Sequence, residues 1–296
     1  MFGSAVVASA LLGLDVEGLQ HALGIAASRA GSLLANVGSM TKCTHCGNAA
    51  ASGLDAALLA KRGFTANPDV LEAPKGVIAT FYPDGFDAAK LLAYGRPFRV
   101  VDPGLAIKLF PSQYGTHYAI TAGLELHPQI GEPSRIARVR ILSPVMKYVD
   151  RAQPGDGLDG KFSLQYTAAA ALLDGAVNID TFVDERRFRA DMVALLGKTT
   201  LVQDASIAGD FHHMRVEIEV ELDDGTRLAA VCHGPQGSWG VPLARDDHRA
   251  KLRDCVGRAL PSARTDELLD ALDRLERQDA AGVAKIMALI ALGSDH

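Results

Sequence analysis

The stretch from Met214 to Leu222 constrains this chain more than any other. Met214, Val216, Ile218, Val220 and Leu222 alternate with Arg215, Glu217, Glu219 and Glu221. A period of two turns one apolar face inward and one charged face outward, which describes a half-buried strand. Asp223, Asp224 and Gly225 supply a turn, and residues 226–232 pair back as an antiparallel hairpin. A lone hairpin is marginal in water, so its apolar face requires more strands and covering helices. Residues 137–142 and 199–202 read as those strands. Amphipathic stretches at 116–126, 163–173 and 185–195 read as the helices. Together they predict an α+β unit over 98–235.

Both flanks are helical. Residues 2–12 are apolar around most of a helical circumference, the pattern of a helix inside a packed core. Asp15 caps a helix over 16–35. Polar residues make 38–47 a loop, after which Asn48 caps a helix over 49–62 closed by Gly63. A short helix follows at 68–74. At the other end, helices are predicted over 247–260, over 266–277 with Thr265 as cap, and over 281–292. The order helical, α+β, helical predicts a mainly helical domain formed by both chain ends, 1–97 and 236–296, with a smaller domain inserted at 98–235.

Composition narrows the function. The 296 residues carry 30 Lys and Arg against 35 Asp and Glu, with no basic block, which argues against nucleic acid as a partner. Apolar runs stop short of the ~18–20 residues a membrane span needs. No basic leader precedes the first apolar run, and four cysteines are too few for a disulfide scaffold, so the expected setting is the cytoplasm with free thiols. Cys43 and Cys46 form one CxxC without a second ligand pair, so no metal site is predicted, and the pair reads as two small buried thiols. No glycine-rich nucleotide loop, nucleophile elbow or HExxH is present.

Three polar segments enter helices and can carry chemistry. In the first, Lys42 and His45 precede a helix whose free N–H groups favour an anion, with the Ser39 and Thr41 hydroxyls beside them. That set suits a carboxylate. In the second, Lys108, Thr116 and His117 cluster at a helix start. In the third, Ser163 caps a helix and Tyr166 projects one turn in, by default a half-buried packing residue.

Segment 38–53, Gly-Ser-Met-Thr-Lys-Cys-Thr-His-Cys-Gly-Asn-Ala-Ala-Ala-Ser-Gly, resembles the MmgE/PrpD family. So do Ile-Lys-Leu-Phe-Pro at 107–111 with Thr116 and His117, Lys-Phe-Ser-Leu-Gln-Tyr at 161–166, and the return through Gly237, Pro242 and Lys251. The family contains 2-methylcitrate dehydratases, cis-aconitate decarboxylases and iminodisuccinate epimerases. The resemblance implies a helical domain with a smaller lid domain, usually a homodimer, and cofactor-free lyase chemistry on a small di- or tricarboxylate. A hydro-lyase or carboxy-lyase of this kind passes through a carbanion or enolate-like species, which needs fixed cations and a poised acid or base. Carried over by position, the resemblance implies that Lys42 and Lys108 bind carboxylates and that Tyr166 donates a proton or hydrogen bond. Ser39, Thr41, His45, Gln113, Thr116 and His117 are then pocket residues. Family decarboxylases carry a His where this chain has Gln113, a side chain that cannot act as a general acid. Epimerisation of an imino-dicarboxylate is the alternative reaction. Family members also have a helical segment upstream of the position matching Phe2. Its absence here predicts an incomplete first domain with an exposed apolar edge, prone to dimerise or aggregate, and leaves a non-catalytic remnant as the other alternative.

Overall fold

Small side chains set the packing of the first helices. Residues 1–291 are described by a computed structural model, and the chain divides into two compact units at Phe98/Arg99. In the first unit, α1 (Phe2–Leu12), α2 (Val16–Ala27) and α3 (Met40–Lys61) pack together through Ala5, Ala8, Ala22, Ile25, Ala26, Ala56, Ala57 and Ala60. Gly53 is required where α1 meets α3, because a Cβ there would lie 2.5 Å from the Met1 carbonyl oxygen. Gly13 ends α1 in the left-handed conformation, and Asp15 caps α2 by accepting from the Gly18 N–H at 2.8 Å. Two short helices follow, α4 (Val77–Phe81) and α5 (Ala88–Leu92).

Several sequence expectations change in this unit. Helix α1 is not enclosed: Ala5, Ala8 and Ser9 are buried, while Val7 and Leu11 stay 60% and 84% exposed. An alanine-lined contact lets helices approach closely but covers only a narrow stripe. The expected loop at 38–47 is helical from Met40, and Asn48 lies inside α3 instead of capping it. Polar side chains there simply face solvent, and Gly47 has open space around its Cα. Helix α2 stops at Ala27, and residues 68–73 form turns in place of a helix.

The second unit is built around a four-stranded sheet of order β2-β1-β3-β4, made of β1 (Ile136–Ser143), β2 (Thr199–Gln203), β3 (Val216–Leu222) and β4 (Arg227–Cys232). Strand β1 pairs parallel with β2 and antiparallel with β3, and β3 pairs antiparallel with β4. The sheet is therefore mixed, and the class is α+β. A register shift between Ile136 and Arg138 lets Ile136 and Val139 both turn inward.

Helix α6 (Thr116–Ile130) lies against β3 and β4 and packs on α8 (Leu164–Asp174), which reaches β2. Between β1 and α8 sits α7 (Gly157–Gly160). The helix predicted over 185–195 is broken into α9 (Asp184–Arg187) and α10 (Ala190–Leu196). Ion pairing explains the break: Arg186 and Arg189 both turn toward Asp174 and Asp191. The core holds Tyr118, Ile120, Leu126, Ile141, Leu164, Met192, Met214 and Ile218. Opposite the helices, the sheet's outer face is charged, as the Glu219–Arg140 pair at 3.0 Å shows.

Helices α11 (Arg245–Val256), α12 (Ser262–Leu272) and α13 (Ala280–Ala291) end the unit. Thr265 lies within α12 and is not its cap, and Leu292 of the predicted last helix lies outside the described residues. Among the described residues no helix is long and apolar enough to cross a membrane.

Candidate functional site

The densest set of candidate residues lies at the entry to α6. The Ile107 N–H donates to the Gly237 carbonyl at 2.7 Å, which fixes the chain just before Lys108. Gly237 has φ +83°, and a Cβ there would stand 2.1 Å from the Ile107 carbonyl oxygen, so only glycine permits this approach. Lys108 Nζ donates to the Ser112 carbonyl at 2.9 Å, folding its side chain over the turn. Ser112 Oγ and Thr116 Oγ1 are hydrogen-bonded at 2.8 Å, and Thr116 Oγ1 donates to the Gln113 carbonyl at 2.7 Å. The Gln113 N–H donates to the Lys161 carbonyl at 2.9 Å, which ties the second polar segment to the third.

His117 is fully buried, and neither ring nitrogen has a hydrogen-bond partner. Its ring sits 5.2 Å from those of both Phe110 and Tyr114. Burial drives its pKa from 6.5 down to about 4, and the Lys108 and Lys251 charges push the same way. At neutral pH the imidazole is therefore uncharged. The backbone carbonyls of Phe110 and Ser112 lie close enough to favour the protonated ring and offset part of the effect of burial.

Tyr166 lies elsewhere in the same unit. It is fully buried beside Phe182, and its hydroxyl donates to the Thr181 carbonyl. Ser163 caps α8 as expected, accepting from the Tyr166 N–H at 2.9 Å. Gly160 makes room for the phenol ring, since a Cβ there would lie 2.6 Å from it. Burial pushes the phenol up to about 12. The half-exposed setting expected for this residue is replaced by a closed one, with the hydroxyl already engaged.

The first polar segment belongs to the other unit. Ser39 is the N-cap residue of α3, but its hydroxyl donates back to the Asn36 carbonyl at 2.8 Å and leaves the helix N–H groups uncapped. Thr41 and Lys42 are exposed on the first turn, and His45 is half-buried one turn on. They thus lie within the helix and not ahead of it. Cys43 and Cys46 are exposed free thiols, not the buried pair expected from their size, and Cys232 is the buried one. Among the described residues no group of three or more His, Cys, Asp or Glu is placed to hold a metal ion.

Sequence reading passed over Ser112 and Tyr114. Their signal was helical spacing: Ser112 stands four residues before Thr116 and Tyr114 three before His117. It also passed over Phe211 and Trp239, whose rings lie 4.9 and 5.9 Å from Tyr114 and extend an aromatic cluster beside His117. No local pattern links those distant positions.

Comparison with known proteins adds an independent line. The profile of the MmgE/PrpD C-terminal domain matches residues 110–277, and that of the MmgE/PrpD N-terminal domain matches residues 1–88. The chain is 30% identical to cis-aconitate decarboxylase of Mus musculus, over 93% of its own length and 57% of that protein. It is 30% identical to the Homo sapiens cis-aconitate decarboxylase, over 93% and 58%. It is 25% identical to 2-methylcitrate dehydratase of Cupriavidus necator, over 98% and 63%. The chain thus spans little more than half the length of the relatives it matches.

Proposed function

The chain belongs to the MmgE/PrpD family, and from that premise we propose that it is a lyase acting on a small di- or tricarboxylate. The relatives' names describe one decarboxylation and one dehydration of such acids, which supports the class. The observation that carries the reading is the geometry of Lys108. Its ammonium, on an exposed residue, is folded onto a turn pinned by Gly237 and bonded to the Ser112 carbonyl, which biases the cation toward one position. A positioned cation stabilises a carboxylate that gains enolate character far better than a freely moving one.

Gln113 adjoins this lysine and can orient a substrate oxygen, but it cannot release a proton. His117 is neutral at pH 7 and could exchange one only through a change in its packing. Dehydration is preferred to decarboxylation because Gln113 stands where family decarboxylases carry a His. Loss of water then requires the neutral His117 imidazole, once its packing opens, to take the C–H proton and pass it to the departing hydroxide as the C=C bond forms. Lys42 in the first unit is proposed as a separate carboxylate-binding cation. Tyr166 is proposed as a positioning residue that holds Thr181 and the α8 start, not as the proton donor. The lid role of the 98–235 region belongs to the same proposal.

The test is turnover of 2-methylcitrate, citrate and cis-aconitate by the purified chain, followed through the absorbance of unsaturated acid. Dehydration of at least one hydroxy-acid is expected. Lys108→Ala should lower kcat/KM by about 100-fold, the scale of one lost transition-state contact, with the circular dichroism spectrum unchanged. A folded chain that turns over none of the three acids, or a Lys108→Ala variant as active as the parent, refutes the assignment.

A further inference from the structure

Within the second unit a cavity of about 530 Å³ opens between α11, the middle of α6 and the 109–111 and 176–178 segments. That size falls in the range of about 300–1,000 Å³ common for small-molecule sites. Leu109, Phe110, Pro111, Leu124, Ala176 and Val177 make its walls apolar. Charge enters from one side only, along α11, through exposed Asp247 and half-buried Lys251 and Asp254.

These three charges are not equivalent. Asp254 is already satisfied: it accepts from the Ile179 N–H at 3.2 Å and pairs with Arg258 at 2.9 Å. Asp247 and Lys251 are spaced i,i+4, yet neither forms an ion pair within 4.0 Å among the described residues. One anionic and one cationic side chain thus stand one helical turn apart, roughly 5–6 Å between Cβ atoms, at the mouth of an apolar cavity. A simple hydrophobic acid would satisfy Lys251 but face Asp247 with the wrong charge, and a simple amine would do the reverse.

We propose that this cavity binds an apolar α-amino acid as its zwitterion, with the carboxylate on Lys251, the ammonium on Asp247 and the side chain against Leu109, Phe110 and Leu124. The two ligand charges are separated by a single carbon, which suits two partners on one helix face. Gln236 and Asn178 also line the cavity and offer further hydrogen-bonding groups. Because Phe110 packs on His117, an occupant touches the ring that borders the candidate site. Binding itself does not depend on the lyase reading, and it is measured without turnover.

The experiment is isothermal titration calorimetry and saturation-transfer NMR on the intact chain. L-leucine and L-phenylalanine are compared with 4-methylpentanoate, 3-methylbutylamine and glycine. The two apolar amino acids should bind, and removing either charge or the apolar side chain should weaken binding by about tenfold or more. Lys251→Met should weaken leucine and tighten 3-methylbutylamine, whose like charge it removes, and Asp247→Asn should weaken leucine and tighten 4-methylpentanoate. Thermal melting confirms that both surface variants remain folded, and the analogue series on the unmodified chain stands without them. Failure of both amino acids to bind at 10 mM overturns the proposal. So does equal binding of leucine and 4-methylpentanoate, or unchanged leucine affinity in Lys251→Met.

Discussion

Buried His117 makes the second unit sensitive to mild acid. The ring has no hydrogen-bond partner, and its pKa lies near 4 against 6.5 for an exposed imidazole. Below pH 6.5 the unfolded chain takes up a proton that the folded chain refuses. Stability is therefore fully present above pH 6.5 and falls as pH drops toward 4. The full span of the shift corresponds to about 3 kcal/mol, of which about 2 kcal/mol is lost between pH 7 and pH 5. Carboxylates held low by ion pairs, such as Asp191 near 2, act below this window. Trp239 is the single tryptophan and lies 5.9 Å from Tyr114, so its fluorescence reports this unit. Urea unfolding followed by Trp239 at pH 7 and pH 5 should show the loss in the parent chain. His117→Leu should reduce the pH-dependent part by about 2 kcal/mol. A variant with the same pH slope as the parent would show that His117 is not the titrating group, and the argument from its burial would fall.

Two substitutions probe how the neighbouring segments are held. Tyr166→Phe strips the Thr181 carbonyl of its buried donor and should cost about 1–2 kcal/mol, lowering the thermal midpoint by roughly 2–8 °C, and an unchanged midpoint would contradict the enclosed hydroxyl. Gly237→Ala places a Cβ against the Ile107 carbonyl and adds strain at φ +83°. Its expected cost is about 1–3 kcal/mol, with a matching loss of the Lys108-dependent part of activity, and normal melting and turnover would show that the turn does not hold Lys108.

The strands were legible because one side of the sheet is wet. Glu217, Glu219 and Glu221 mark the outer face of β3 as plainly as Val216, Ile218 and Val220 mark the inner one. Strand β1 was legible over 137–142, whereas its register shift near Ile136 left no local trace. Helix α3 was misread at its start because Thr41, Lys42, Thr44 and His45 look like loop residues when nothing in the sequence says they only need to face water. The break between α9 and α10 depends on Asp174 meeting Arg186 and Arg189, a contact between separate elements that no periodicity contains. At the candidate site, Lys108, Thr116 and His117 were found from chain proximity, and Gln113 from the family resemblance. The turn that orients them rests on Gly237, and the aromatic contacts on Phe211 and Trp239, so its shape came only with the fold.

The central place of β1 has a consequence for how the chain is made. Its two neighbours are remote: Val139 pairs with Thr199, and Ile141 pairs with Ile218. By contrast, β3 and β4 are joined by a tight turn and can zip together at once. During synthesis at ~5–20 residues per second, β1 leaves the ribosome on the order of ten seconds before β3 can cover it. Through that interval Val139 and Ile141 lack their antiparallel neighbour, and the β3-side hydrogen-bonding edge of β1 stays open. That open edge makes the interval the one in which the nascent chain is most exposed to mispairing and aggregation.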